Sequence, residues 1–112
     1  MHAVDIERSG RVVVVRASGE LDAFAAPDLE AAFASARAER RILADLERVS
    51  FMDSTALGLL VRYVRELGDG DAEVRVVLPR GTARRIFEIT ALEGVLPVVA
   101  DRASALAELE TG

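Results

Sequence analysis

The side chains best suited to chemistry are a carboxylate and two hydroxyls in the segment Asp53-Ser54-Thr55. This segment follows the apolar pair Phe51-Met52, where a buried strand is predicted to give way to a helix, so Ser54 is expected to be exposed at a helix N-terminus. A serine there can cap the helix or accept a phosphate. A phosphate would add roughly −1.5 to −2 charges, which the free N–H groups and the macrodipole of the helix would tolerate. Thr55 is the second choice as acceptor.

Catalysis by Ser54 would require a general base, which is usually a histidine. The single histidine is His2, which lies near a terminus expected to fray and is predicted to be remote from Ser54. The side chain of Asp53 is expected to diverge from the Ser54 hydroxyl. The chain has no cysteine, no Walker-type loop and no cluster of metal ligands. The sequence therefore argues against an enzyme, with no catalytic residue, metal or cofactor expected, and leaves Ser54 as a candidate phosphoacceptor.

The bulk composition favours a small, soluble globular protein. The 112 residues are predicted to form a single domain, residues 1–112, and the hydrophobic fraction of 51% suffices for a core. The formal charge of −5 disfavours nucleic acid and anionic membranes as direct partners. No apolar run reaches the roughly 18 residues of a membrane span, and the N-terminus lacks the pattern of a signal peptide. A cytoplasmic location is expected.

Hydrophobic periodicity divides the chain into alternating strands and helices. A turn at Ser9-Gly10 joins the first two strands, and the segment Gly19-Glu20-Leu21-Asp22 is predicted to end the second. A connection over 47–50 is predicted to precede the apolar pair before Asp53. The predicted strands are 4–7, 11–17, 41–46, 73–78 and 95–100, and the predicted helices are 24–40, 54–67, 79 to 89 or 90, and 104–109.

This alternation indicates an α/β domain with a mixed, mostly parallel sheet of about five strands and helices packed on it. The carboxyl ends of parallel strands share one edge, where open α/β folds usually place their sites. Asp22, the Asp53-Ser54 pair and the segment 80–82 are therefore expected to converge there. The plainer alternatives are that Asp53 and Ser54 only cap a helix, and that Asp22 only ends a strand.

The helix that begins at Ser54 has two distinct faces at about 100° per residue. Its predicted core stripe consists of Leu57, Leu60, Val61, Val64 and Leu67. The predicted solvent face carries Thr55, Leu59, Arg62 and Glu66, with Tyr63 at its flank. An outward leucine one turn from a candidate phosphoacceptor, beside an aromatic ring and an arginine, is typical of a docking patch. The predicted partner-binding residues are Asp22, Asp53, Ser54, Thr55, Leu59, Arg62 and Tyr63.

Residues 51–58, Phe-Met-Asp-Ser-Thr-Ala-Leu-Gly, closely resemble the phosphorylation motif of bacterial anti-sigma factor antagonists, which are STAS domains. The resemblance covers almost the whole chain. It extends through Gly19-Glu20-Leu21-Asp22, Ala44-Asp45-Leu46, Arg62-Tyr63 and residues 83–87.

The resemblance implies that Ser54 is phosphorylated by an anti-sigma factor that is itself an ATP-dependent serine kinase. The unphosphorylated antagonist would bind that kinase and so release the sigma factor, and a PP2C-type phosphatase would restore it. Asp53 corresponds to the motif carboxylate, and Asp22 matches an acidic residue near the site. The one departure is Ala56, where the family usually has glycine; alanine stiffens the helix start and adds a methyl near the hydroxyl.

STAS domains also serve as small subunits of lipid-transport ABC systems, in stressosomes and as transporter tails. The length of this chain argues against a tail. The complete Asp-Ser-Thr motif favours a phosphoswitch over a purely structural subunit, and those subunit roles remain the alternative.

Overall fold

The computed structural model describes residues 1–79 and 96–111. The strands in these residues are β1 (His2–Ser9), β2 (Val12–Leu21), β3 (Arg41–Met52), β4 (Glu73–Val77) and β5 (Val98–Val99). The helices are α1 (Ala26–Ser35), followed by a short 3-10 turn (Ala36–Ala38), α2 (Ser54–Asp69) and α3 (Arg102–Thr111). The predicted helix from residue 79 to 89 or 90 and the predicted site segment 80–82 lie outside the described residues, apart from Pro79.

The five strands form one sheet in the order β1-β2-β3-β4-β5. β1 is antiparallel to β2, and the remaining neighbours are parallel. The predicted α/β class with a mixed, mostly parallel sheet is confirmed. In the described parts of the chain, no helix is both long and apolar enough to cross a membrane.

The β1–β2 hairpin extends further than its hydrophobic pattern suggested. Gly10 takes a φ of 58° in the tight turn, a conformation that glycine adopts without steric cost. At the far end Gly19 has a φ of 79°, and a Cβ there would lie 2.3 Å from the Met1 carbonyl oxygen. This glycine therefore lets β1 pair with β2 along its full length, so β2 continues to Leu21, beyond the end predicted at Ala17.

β3 is a single strand of 12 residues, so the predicted connection over 47–50 is wrong. The polar residues in that stretch belong to the strand, which stays paired with β2 through two register shifts. Pairing resumes as Glu20 with Phe51 and ends as Leu21 with Met52, the last residues of the two strands. This shared end fixes the position of everything that follows Met52.

Alternate residues of β2 belong to two different apolar clusters, because successive side chains point to opposite faces of a sheet. Val13 and Val15 pack in the cluster that includes buried residues of α1 and α2. Val12 and Val14 pack with Ala105 and Leu109 of α3 on the other face. Helices therefore cover both faces, as expected for strands that are buried on two sides.

Candidate functional site

The junction between β3 and α2 is held by the backbone and by one carboxylate. The N–H of Asp53 donates to the carbonyl of Leu21 at 3.0 Å, which ties the junction to the end of β2. Asp53 is extended, with a φ of −85° and a ψ of 175°, and its Oδ1 accepts from the N–H of Ala56 at 2.9 Å. Of the two candidate caps, Asp53 and Ser54, Asp53 is therefore the one that caps α2.

Because Asp53 caps the helix, Ser54 is available for another role. Ser54 is the first residue of α2 and is exposed, as is Thr55. The N–H groups of a helix's first turn have no partner within the helix, and here the Asp53 carboxylate accepts from that of Ala56. The Ser54 hydroxyl is therefore not needed as the cap, and it faces solvent at the positive end of the helix dipole.

Asp22 occupies the corresponding position after β2. Its Oδ1 accepts from the N–H of Phe24 at 3.0 Å and of Ala25 at 3.3 Å, so it closes the turn that leads into α1. Because Leu21 pairs with Met52, Asp22 and Asp53 follow neighbouring strand ends. The structure thus places Asp22 and the Asp53-Ser54 pair on one edge, where the Asp53 carboxylate caps α2 and the Asp22 carboxylate closes a turn.

Two residues on α2 differ from their predicted exposure. Tyr63 is only 2% exposed and stacks on Phe33 of α1, with ring centroids 5.6 Å apart. Leu59 is half-buried and packs against the main core cluster instead of projecting into solvent. The prediction that Tyr63 flanks an open surface and that Leu59 lies at the centre of it is wrong, because α1 lies across that side of α2.

Arg62 remains on the surface and covers the buried ring. Its guanidinium carbon lies 5.0 Å from the centroid of Tyr63, and that of Arg37 lies 5.2 Å away. Arg62 also pairs with Glu30 at 3.6 Å and with Glu66 at 3.8 Å. Tyr63 therefore supports Arg62 from below. Of the predicted partner-binding residues on α2, those that are exposed are Ser54, Thr55 and Arg62.

Ala56 is fully buried in the core cluster beneath the helix start. Its methyl group is therefore directed into the protein, and the departure from the usual glycine of the motif fills core space. Among residues 1–79 and 96–111, a Cβ at Gly58 would meet no atom within 4 Å, so close approach of one of the described strands is not the reason for that glycine.

The histidine is closer to this edge than predicted. His2 pairs with Gly19 across the hairpin, which places it at the same end of the sheet. Its Nε2 lies 2.8 Å from Oδ2 of Asp28, and β2 separates β1 from β3. The imidazole is thus engaged with α1. Within residues 1–79 and 96–111, no group of three or more potential ligand side chains could hold a metal ion.

The sequence reasoning missed two exposed aromatic residues at this edge. Phe24 is 85% exposed and Phe51 is 46% exposed. Phe24 was expected to begin the helix, whereas it lies in the turn that Asp22 closes. An aromatic residue directly after a turn-forming aspartate was the available signal.

The chain is similar in sequence and fold to proteins of a known family. Residues 3–105 match the STAS domain family. An anti-sigma-B factor antagonist of Staphylococcus aureus is 38% identical over 86 residues, which cover 75% of this chain and 80% of that protein. The crystal structure of an anti-sigma factor antagonist from Mycobacterium paratuberculosis is 31% identical with a TM-score of 0.85, covering 98% of this chain and 95% of the other.

A third relative, the anti-sigma factor antagonist SpoIIAA, has been solved in two forms. The unphosphorylated form is 28% identical with a TM-score of 0.72, covering 98% of this chain and 99% of that one. The phosphorylated form, described as a Bacillus cell fate determinant, is 31% identical with a TM-score of 0.73, covering 95% and 98% of the two chains. The chain belongs to the STAS domain family and, within it, to the anti-sigma factor antagonists.

Proposed function

We propose that this antagonist is a phosphorylation-controlled switch with Ser54 as its phosphoacceptor. The unphosphorylated protein binds an anti-sigma factor that is also an ATP-dependent serine kinase, and this binding releases the sigma factor. Transfer of phosphate to Ser54 ends the interaction, and a PP2C-type phosphatase restores the binding form. The switch operates in the cytoplasm, without direct contact to nucleic acid or membrane.

The observation that carries this proposal is that the capping residue and the proposed phosphoacceptor at the start of α2 are two different residues. Asp53 makes the capping hydrogen bond, so Ser54 is exposed with its hydroxyl available. A kinase can phosphorylate Ser54 without first breaking the structure of the helix. The existence of a phosphorylated form of SpoIIAA supports the same chemistry here.

The phosphate would act through charge at an interface and not through refolding. The helix start is anchored by the buried Ala56 and Leu60, and an anion at a helix N-terminus is electrostatically favourable. The free protein therefore tolerates phosphorylation. In a complex the phosphate would add roughly −1.5 to −2 charges beside Asp53, and desolvating an unpaired charge costs several kcal/mol.

The partner surface proposed here centres on the exposed residues of the edge and of the adjacent helix. Leu59 contributes the part of its side chain that remains accessible, and Tyr63 contributes indirectly by supporting Arg62. The proposed partner-binding residues are Asp22, Asp53, Ser54, Thr55, Leu59 and Arg62.

Anti-sigma factor antagonists are non-enzymatic regulators, and the side chains at this edge of the sheet agree with that description. The edge offers hydroxyls and carboxylates, while the imidazole of His2 is engaged with Asp28. A role as a subunit of a lipid-transport system or a stressosome receives less support, since the relatives described above are antagonists.

The test is incubation with ATP and each anti-sigma kinase of the same organism, followed by mass spectrometry. We expect one phosphoryl group on Ser54 in the wild-type protein and in a Thr55→Ala control, and none in Ser54→Ala. Ser54→Asp should keep the fold and bind the kinase at least about 100-fold more weakly, equivalent to about 2.7 kcal/mol. Phosphate on Thr55 alone, or undiminished binding by Ser54→Asp, would contradict the proposal.

A further inference from the structure

The large apolar side chains exposed on the described residues are unevenly distributed. They are Met1, Ile6, Phe24 and Phe51. All except Ile6 lie at the edge of the sheet that carries Ser54, whereas Ile6 lies in the middle of β1. Isolated exposed apolar residues are ordinary, but a concentration around one candidate site is typical of a protein interface.

Backbone contacts place these residues around the start of α2. The Met1 carbonyl accepts from the N–H of Glu20 at 3.1 Å, and Glu20 pairs with Phe51 in the sheet. Phe24 lies three residues beyond Leu21, whose carbonyl accepts from the N–H of Asp53.

We propose that Phe24 is the apolar anchor of the interface with the anti-sigma kinase and sits in an apolar pocket of that partner. The inference rests on the proposed function, because the kinase must cover Ser54 in order to phosphorylate it. A specific interface covers about 800 Å² on each partner, and Phe24 follows the strand end adjacent to the one that leads into Ser54. The same partner therefore covers both residues.

The conformation around Phe24 is suited to this role. Its N–H is held by the Asp22 carboxylate at 3.0 Å, so the backbone that presents the ring is already ordered. Binding then loses little backbone entropy, and a rigid aromatic side chain supplies much apolar area. Asp22 is thus a positioning residue for Phe24, in addition to closing the turn.

The charges at this edge define the surroundings of the partner's pocket. Glu20, Asp22 and Asp53 bring three carboxylates to the ends of β2 and β3. Complementary potentials favour docking, so we expect basic groups on the partner beside its apolar pocket. A phosphate on Ser54 would still end the interaction, because the partner covers the helix start and desolvating the added charge there is unfavourable.

The experiment measures the affinity of the full-length chain for its anti-sigma kinase by calorimetry without ATP. Phe24→Ala should weaken binding more than about tenfold, as expected for an aromatic hot spot, and leave the melting temperature unchanged because the ring is 85% exposed. Phe24→Leu should restore most of the affinity. Ile6→Ala is the matched control, because Ile6 is 49% exposed on the same chain and away from Ser54.

Affinity of Phe24→Ala within twofold of the wild-type and Ile6→Ala values would overturn the inference. Phosphorylation of the wild-type protein is followed in parallel by mass spectrometry. If the wild type binds the kinase but receives no phosphate on Ser54, the proposed switch is wrong, while the Phe24 comparison still decides the inference about the anchor.

Discussion

Helices α2 and α3 pack on opposite faces of the same strands, and different interactions hold them in place. α2 buries five side chains and adds the stacked ring pair of Tyr63 and Phe33. α3 buries only Ala105 and Leu109. Beside these apolar contacts, several arginines make polar contacts around α3: Arg102 with Glu7 and Asp45, Arg75 with Glu108, Arg41 with the Leu109 carbonyl, and Arg11 with Glu110.

Because different interactions hold α2 and α3, the two helices should respond differently to added charge, pH and salt. The position of α2 depends on apolar packing, so a charge added at Ser54 leaves the helix where it is and acts on whatever docks there. The position of α3 depends more on ion pairs, so pH and salt act on it first. The helix that carries the proposed switch is thus the one whose position depends less on charge.

The largest expected effect tests the apolar side of this comparison. Leu60→Ala removes a fully buried side chain of α2 and should lower the free energy of unfolding by about 2–5 kcal/mol. Leu106→Ala on α3 removes a partly buried side chain and should cost about 1 kcal/mol. Urea denaturation measures both values, and equal losses would end the distinction between the two helices.

The second prediction concerns the buried charge beneath α3. Asp45 is 3% exposed, and its Oδ2 lies 3.3 Å from Nη1 of Arg102. Asp45→Asn keeps an oxygen to accept from the N–H of Glu47 but loses the charge, so stability should fall by about 1.5–3 kcal/mol. A double-mutant cycle with Arg102→Gln should show coupling between the two sites. Additive losses would mean that this pair does not hold the helix.

The third prediction tests the division of roles at the start of α2. Asp53→Ala removes the capping carboxylate and should cost about 1 kcal/mol. Ser54→Ala should change stability by less than about 0.5 kcal/mol, since Ser54 is exposed and the cap is intact. Thermal unfolding of the two variants gives the comparison, and the reverse order of stabilities would restore Ser54 as the cap.

The smallest effect is a pH dependence confined to the α3 side. A hydrogen bond from Arg102 holds the pKa of Glu7 below its ordinary value, with further attraction from Arg102 and Arg16. A carboxyl with a depressed pKa stabilises the fold above its unfolded pKa and loses that contribution as pH falls through its folded pKa. Glu7→Gln should therefore reduce stability at neutral pH, and its difference from wild type should shrink in acid; a constant difference would contradict this.

Much of the architecture was accessible from the sequence because strand and helix periods differ. The first residue of α2 was predicted correctly, and the helix runs to Asp69, two residues beyond the predicted end. The sequence left Asp53 and Ser54 as alternative caps because both are good capping residues, and only the hydrogen bond to Ala56 decides between them. The end of β3 was missed because its exposed polar residues resemble a connection, whereas pairing with β2 makes them a strand.

The exposure of side chains on α2 depends on an element far away in sequence. The phase of the helix alone puts Tyr63 at the margin of its solvent face. Phe33 and Arg37, which approach from α1 and the 3-10 turn after it, close over the ring. Helical periodicity describes one helix at a time, so it cannot report how a second helix covers the first.

The capping role of Asp53 also makes residue 54 a convenient position for a chemical label. The natural chain contains no cysteine, so Ser54→Cys would introduce its single thiol at an exposed residue that the helix cap does not need. A small environment-sensitive fluorophore attached there would report the arrival and departure of a partner at the start of α2. Because Asp53 caps the helix, residue 54 is accessible both to modification in the cell and to labelling in the laboratory.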